Sequence, residues 1–186
     1  LREALTTNEE LGDVAAFQQF ASAVAGASAD GFDSAMERWV DLEHTVRYIA
    51  VDRALKNWDG IMAFYAPSTP HNFYWYHDAG GSGRFQLIPW DLDNTFWEFD
   101  PYMAPSQWVT APAIPDWNEE PLDCNTRAIW TPDSTESVTP PRCDRFLDHL
   151  ARTHWARFEG VSAELLAGPF ALSRLLERAR HYRTLL

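Results

Sequence analysis

The chain has 186 residues, with 46 % hydrophobic and 14 % aromatic content and nine tryptophans, which is enough for a packed core and excludes a disordered chain. Fifteen basic against 27 acidic residues leave a net charge of −12, and the single lysine is Lys56. A surface this acidic disfavours nonspecific nucleic-acid binding, because phosphates need cations to neutralise them.

In chain order, the opening "LREALTTNEELGDVAAF" reads as a helix already in progress, so the expectation is a fragment of a longer protein. Leu11, Val14, Ala15, Phe17, Phe20 and Val24 continue that helical spacing to about residue 25. "SADGFD" breaks it. Met36, Val40, Leu42, Val46, Tyr48, Ile49, Val51 and Leu55 then predict one or two helices, with Asp41 as an internal N-cap. "HNFYWYHD" alternates as a strand does, "AGGSGR" is a glycine-rich hairpin turn, and "RFQLIPW" is the return strand. Residues 101–141 hold most of the chain's 12 prolines and show little periodicity. They read as a loop-rich insertion, a rim or lid and not a core. "CDRFLDHLARTHWARFEGVSAELL" and "ALSRLLERARHYRTLL" return to helix on either side of "AGPF". The expected class is α+β: one domain over 1–186, mainly helical around a central β-hairpin. No apolar run approaches the roughly 20 residues of a membrane span.

Cys124 and Cys143 bracket a stretch rich in Pro, Thr and Ser. Without histidine at metal spacing they do not make a zinc site. A disulfide is the favoured reading, with two unpaired buried thiols as the alternative. Closing a loop of this size stabilises by about 3 kcal/mol on the chain-entropy argument and implies an oxidising compartment.

Polar residues gather around the hairpin: Asn57 and Asp59 before it, Asn72 on its first strand, Asp91 and Asp93 after its second. Oxygen donors in such a group suit Mg²⁺, and carboxylates on both sides of a hairpin suit phosphoryl transfer. The competing reading is structural. Asp before Asn-Thr is common in turns, and Asp93 or Asn94 would cap a short helix. The histidines in helical segments, His44, His149 and His154, read as packing or solvent-facing, and His71 with His77 has no third zinc ligand. Trp75, Trp90 and Trp97 read as core around the hairpin, with Trp90 a candidate wall of a nucleotide pocket. On the insertion, Trp108, Trp117 and Trp130 read as packing it down onto the domain, with a binding surface as the alternative.

"NWDG" at 57–60, "HNFYWYHD" at 71–78 and "FQLIPWDLDNTF" at 85–96 resemble the spore coat protein H (CotH) kinase family in order and spacing. That family's pattern runs N-x-D, then N-x-Y-x-Y, then a strand into PWDxD and Thr-Phe. "LLAGPFALSRLLERA" is similar to its closing helical segment. The resemblance covers the chain from about residue 30, apart from 101–141. It implies a divergent protein-kinase-like fold, here its C-terminal lobe, that transfers phosphate from ATP to Ser or Thr of a partner protein using Mg²⁺ or Mn²⁺. On this resemblance Asp59 is the catalytic aspartate and Asp91 the metal-binding one. Asp93 is a second metal ligand or a structural partner, Asn72 a further metal ligand, and Trp90 a nucleotide contact. It also implies a secreted or cell-surface protein, in keeping with the disulfide.

The sequence departs from an ordinary kinase in three places. Phe64 stands where a metal-binding asparagine would follow the catalytic aspartate, which is why Asn72 is the substitute. Lys56 lies in the wrong element to hold nucleotide phosphates, and no glycine-rich phosphate loop is present. The 186 residues alone are therefore expected to have weak or no activity. Two other functions remain open: a non-catalytic coat or surface protein of the same fold, and a metal-dependent phosphoesterase or nuclease built on Asp91 and Asp93.

Overall fold

The computed structural model describes residues 13–55, 57, 60–62, 64–66, 72–92, 95, 117, 124–125, 127–128 and 137–185. Helices α1 (Ala15–Gly26), α2 (Phe32–Met36) and α3 (Leu42–Ala54) come first. Strands β1 (Phe64–Ala66), β2 (Phe73–His77), β3 (Phe85–Pro89), β4 (Arg127–Ala128) and β5 (Ser137–Thr139) follow, and α4 (Arg145–Ala167) and α5 (Leu172–Arg183) close the chain. The class is α+β, as the periodicity predicts. Among the described residues no helix is long and apolar enough to cross a membrane.

Local chemistry sets the helix starts. The Asp41 carboxylate accepts the His44 N–H at 3.0 Å, which makes Asp41 the N-cap anticipated between α2 and α3. Asp144 does the same for α4 through the Leu147 N–H at 3.0 Å. α3 and α4 pack together, and Phe32, Met36, Val40, Ile49, Phe146, Leu147 and Leu150 fill the core beside them. His149 is buried there with its ring stacked on Phe32 at 4.4 Å, and burial holds its pKa down.

β2 and β3 form the expected antiparallel hairpin, with Tyr74 opposite Ile88, Trp75 opposite Leu87 and His77 opposite Phe85. Alternation along β3 turns Phe85 and Leu87 into the core and leaves Ile88 exposed. At the hairpin tip the Asp78 carboxylate accepts the Ser82 N–H at 2.7 Å, and Gly83 adopts a φ of +68° that favours glycine. The hairpin is fastened to the helices by its second strand. The Phe85 N–H donates to the Trp39 carbonyl at 2.6 Å, and Val40 bridges Phe85. Phe85 also stacks on Phe20 of α1 at 5.3 Å.

Two features go beyond the helices and hairpin that the sequence predicts. β1, which the sequence reading leaves unassigned, pairs antiparallel with β5, with Tyr65 opposite Val138, and β5 pairs with β4. Residues 101–141 are not wholly outside the core either. Trp117 is 0 % exposed and donates its Nε1–H to the Leu147 carbonyl at 3.0 Å. It packs edge-on against Phe158 at 5.0 Å and Trp155 at 5.9 Å. The indole body fills an apolar gap while its N–H finds a helical carbonyl. Trp108 and Trp130 lie outside the described residues. The Cys124–Cys143 disulfide is present, with its Cα atoms 5.7 Å apart, and ties this segment to the start of α4.

Candidate functional site

The chain leaves β3 through a sharp corner. Asp91 has a φ of +49°, a left-handed conformation that aspartate tolerates better than most side chains. Asn72, immediately before β2, holds this corner from the other strand. Its backbone carbonyl accepts the Trp90 N–H at 3.1 Å, and its Nδ2–H donates to the Asp91 carbonyl at 2.9 Å. Only the NH₂ side of an amide can meet a carbonyl oxygen, so the Asn72 oxygen faces the other way. Asn72 is 3 % exposed, whereas Asp91 is exposed. The Thr95 hydroxyl donates to the Leu92 carbonyl at 2.8 Å and tightens the same bend. Turning a corner and presenting a carboxylate are therefore done by one feature: the backbone turns and the Asp91 side chain points outward from it.

Trp90 differs from the core role expected of it. It is 55 % exposed, and its ring meets Tyr74 at 5.8 Å on the outer face of the hairpin. Trp75, in contrast, packs inward against Phe20 at 5.3 Å and Phe146 at 5.8 Å. Asp59, Asp93, Asn94 and Trp97 lie outside the described residues. The described part of the candidate metal set is thus Asn72 and Asp91. Both offer oxygen, the donor that Mg²⁺ and Mn²⁺ prefer, so the residues present fit a hard divalent cation. Among the described residues no three His, Cys, Asp or Glu side chains form a metal-holding group.

The residues on either side of Asp59 converge on a group that the sequence reading passes over. Asp52, on the buried face of α3, is 5 % exposed. Its backbone carbonyl accepts the Asn57 N–H at 3.2 Å, and its Oδ1 accepts the Asn57 Nδ2–H at 2.8 Å. Asn57 is itself buried. Gly60 lies so close to the Asp52 carboxylate that a Cβ there would collide with both of its oxygens and with the Asn57 amide. Ile61 and Met62 then anchor the chain in the core. Asp52 Oδ2 and the hydroxyl of Tyr48, one turn earlier on α3, are buried with no hydrogen-bond partner among the described residues. Burial pushes the Asp52 pKa up to about 6, against the lowering effects of the Asn57 hydrogen bond and the Arg53 charge. Burial, followed by the Asp52 charge, likewise raises the Tyr48 pKa. The signal for Asp52 was available in the sequence. It lies seven residues after Thr45 and three after Ile49, on the helix face that both bury.

A separate open concavity of about 350 Å³ lies between α2, α3 and α4, where Glu43 is held well below the usual carboxylate range by its hydrogen bond to Arg157. It shares no residue with the Asn72–Asp91 corner or the Asp52 turn.

Comparison with curated proteins and with solved structures gave no match. The family model described as CotH kinase protein matches residues 2–186, and the chain belongs to that family.

Proposed function

We propose that this chain is the C-terminal-lobe portion of a divergent protein-kinase-like fold, and that the protein transfers the γ-phosphate of ATP to Ser or Thr of a partner protein. The observation that carries this reading is membership of the CotH kinase family along residues 2–186. The exposed Asp91 carboxylate beside the buried Asn72 supports it, because Asp91 is the first aspartate of the family's PWDxD pattern. The disulfide supports a secreted or cell-surface location.

In this mechanism Asp59 accepts the hydroxyl proton of the substrate. The hydroxyl oxygen bonds to the γ-phosphorus as the bond to the β-phosphate oxygen breaks and ADP leaves. Asp91, with Asp93 and the amide oxygen of Asn72, would hold Mg²⁺ or Mn²⁺, which supplies positive charge against the phosphate oxygens when bound. Asn72 also sets the direction of the Asp91 backbone through the 2.9 Å bond to its carbonyl. The Trp90 ring, which is exposed, would contact the nucleotide base.

Transfer from labelled ATP by the full-length protein tests this, comparing wild type with Asp59→Ala and Asp91→Ala. Both variants are expected to lose transfer. If both match wild type, the assignment fails and a non-catalytic surface protein is the better description. The 186 residues by themselves are expected to transfer little or nothing.

A further inference from the structure

The chain before and after Asp59 is held by one buried residue, Asp52. Asn57, two residues before Asp59, gives Asp52 both its backbone N–H and its side-chain amide. Gly60, one residue after, packs directly on the same carboxylate and has no room for a side chain. The Asp52 carboxylate is thus the common partner of the chain on both sides of the catalytic position. One of its oxygens is buried with no hydrogen-bond partner among the described residues, an arrangement that a stability role alone does not account for. A neutral residue of the same size would avoid burying the charge.

We propose that Asp52 is the positioning residue for Asp59: its ionised carboxylate grips Asn57 and packs on Gly60, and so fixes the chain on both sides of the catalytic residue. This rests on the kinase reading of Asp59. The physical reason for the charge is the strength of the grip. A hydrogen bond to an ionised acceptor is roughly twice as strong as one to a neutral acceptor. Protonation weakens the grip and puts an O–H where the buried Oδ2 now stands. Among the described residues the other titratable or charged groups about Asp52 are Tyr48 and Arg53, both on α3. The turn packed against it contributes Asn57 and Gly60, neither of them charged.

The test compares full-length wild type, Asp52→Asn and Asp91→Ala in phosphate transfer from labelled ATP between pH 5 and 8. Wild type is expected to lose activity on the acid side with a midpoint near pH 6. Asp52→Asn keeps the shape and an acceptor oxygen but not the charge. It is expected to lose kcat roughly tenfold at pH 7.5, with KM for ATP little changed and the limb near pH 6 flattened. Asp52→Asn with the kcat and acid limb of wild type overturns the proposal, while Asp91→Ala at wild-type activity overturns the kinase reading instead. Amide hydrogen exchange over residues 57–62 reads the turn without any activity. Faster exchange in Asp52→Asn at pH 7.5 supports the proposal, and exchange equal to wild type overturns it. Wild type alone gives the same answer if the variant does not fold. Protection of these amides, corrected for intrinsic rates, should fall between pH 7 and 5, and pH-independent protection overturns the proposal.

Discussion

Truncating Trp117 to alanine removes the large aromatic side chain that residues 101–141 place in the described core. The indole is fully buried, meets Phe158 and Trp155 at 5.0 and 5.9 Å, and donates to the Leu147 carbonyl at 3.0 Å. Truncation of a buried tryptophan costs about 3–5 kcal/mol, of which the lost hydrogen bond is about 1 kcal/mol. For a chain of this size each kcal/mol lowers the melting temperature by about 2–4 °C, so a fall of roughly 6–20 °C is expected. Trp117→Phe keeps most of the aromatic packing and loses the N–H, so its loss should be smaller, about 1–2 kcal/mol. Urea unfolding followed by circular dichroism measures both. The midpoint should move while the slope holds, because the surface exposed on unfolding is nearly unchanged. A Trp117→Ala protein within about 1 kcal/mol of wild type would refute the view that this segment is built into the core.

Against the fully unfolded chain, in which Asp52 is hydrated, Asp52 makes stability fall as pH rises, because burial raises its folded pKa from 3.8 to about 6. Opening of the Asn57 contact alone instead loses a hydrogen bond that favours the ionised form. Below pH 4 both folded and unfolded chains hold the proton. Between pH 4 and 6 only the folded chain does, and above 6 the full penalty of about 3 kcal/mol is present. Asp52→Asn should flatten that part of the stability–pH curve in urea titrations at half-unit steps, and an unchanged curve would remove the burial argument. Asn72→Ala loses the bond to the Asp91 carbonyl and should destabilise by about 1–2 kcal/mol in the same assay, together with loss of Mg²⁺-dependent transfer. Reducing Cys124–Cys143 with dithiothreitol should lower stability by about 3 kcal/mol, and a Cys124→Ser, Cys143→Ser protein should not respond to reductant.

Local rules made some of this legible in advance. The hairpin shows because its alternation, glycine turn and return strand are contiguous from residue 71 to residue 90, and the Asp41 cap shows because it sits three residues before the N–H it accepts. β1 does not show. It has three residues, and its partner β5 lies more than 70 residues further along, so its pairing depends on contacts that no short window contains. Trp117 reads as packing the insertion down onto the domain, as its burial bears out, but its partners Trp155 and Phe158 lie about 40 residues further along, where no short window shows them. Trp90 departs from its reading: tryptophan next to a strand suggests burial, but the pleat sends it outward. The site divides in the same way. Asn72 and Asp91 are recognisable from motif spacing, but the hydrogen bond between them joins residues 19 apart. Asp52 was readable only by laying it on the helix face of Thr45 and Ile49, because a lone aspartate in a helix ordinarily faces water.

The hairpin also separates what must be held still from what can be altered. Asn72 and Asp91 close its open end, and the tip from Asp78 to Gly83 begins six residue steps beyond Asn72, about 20 Å along the strand. At that tip Gly80 is exposed, with open space where a side chain would go, whereas Gly81 is crowded by the Asp78 carboxylate. A cysteine at position 80, in a chain whose own two cysteines are bonded to each other, gives a single attachment point for a fluorophore or spin label. Such a reporter would follow the hairpin's motion during nucleotide addition without touching the corner it reports on.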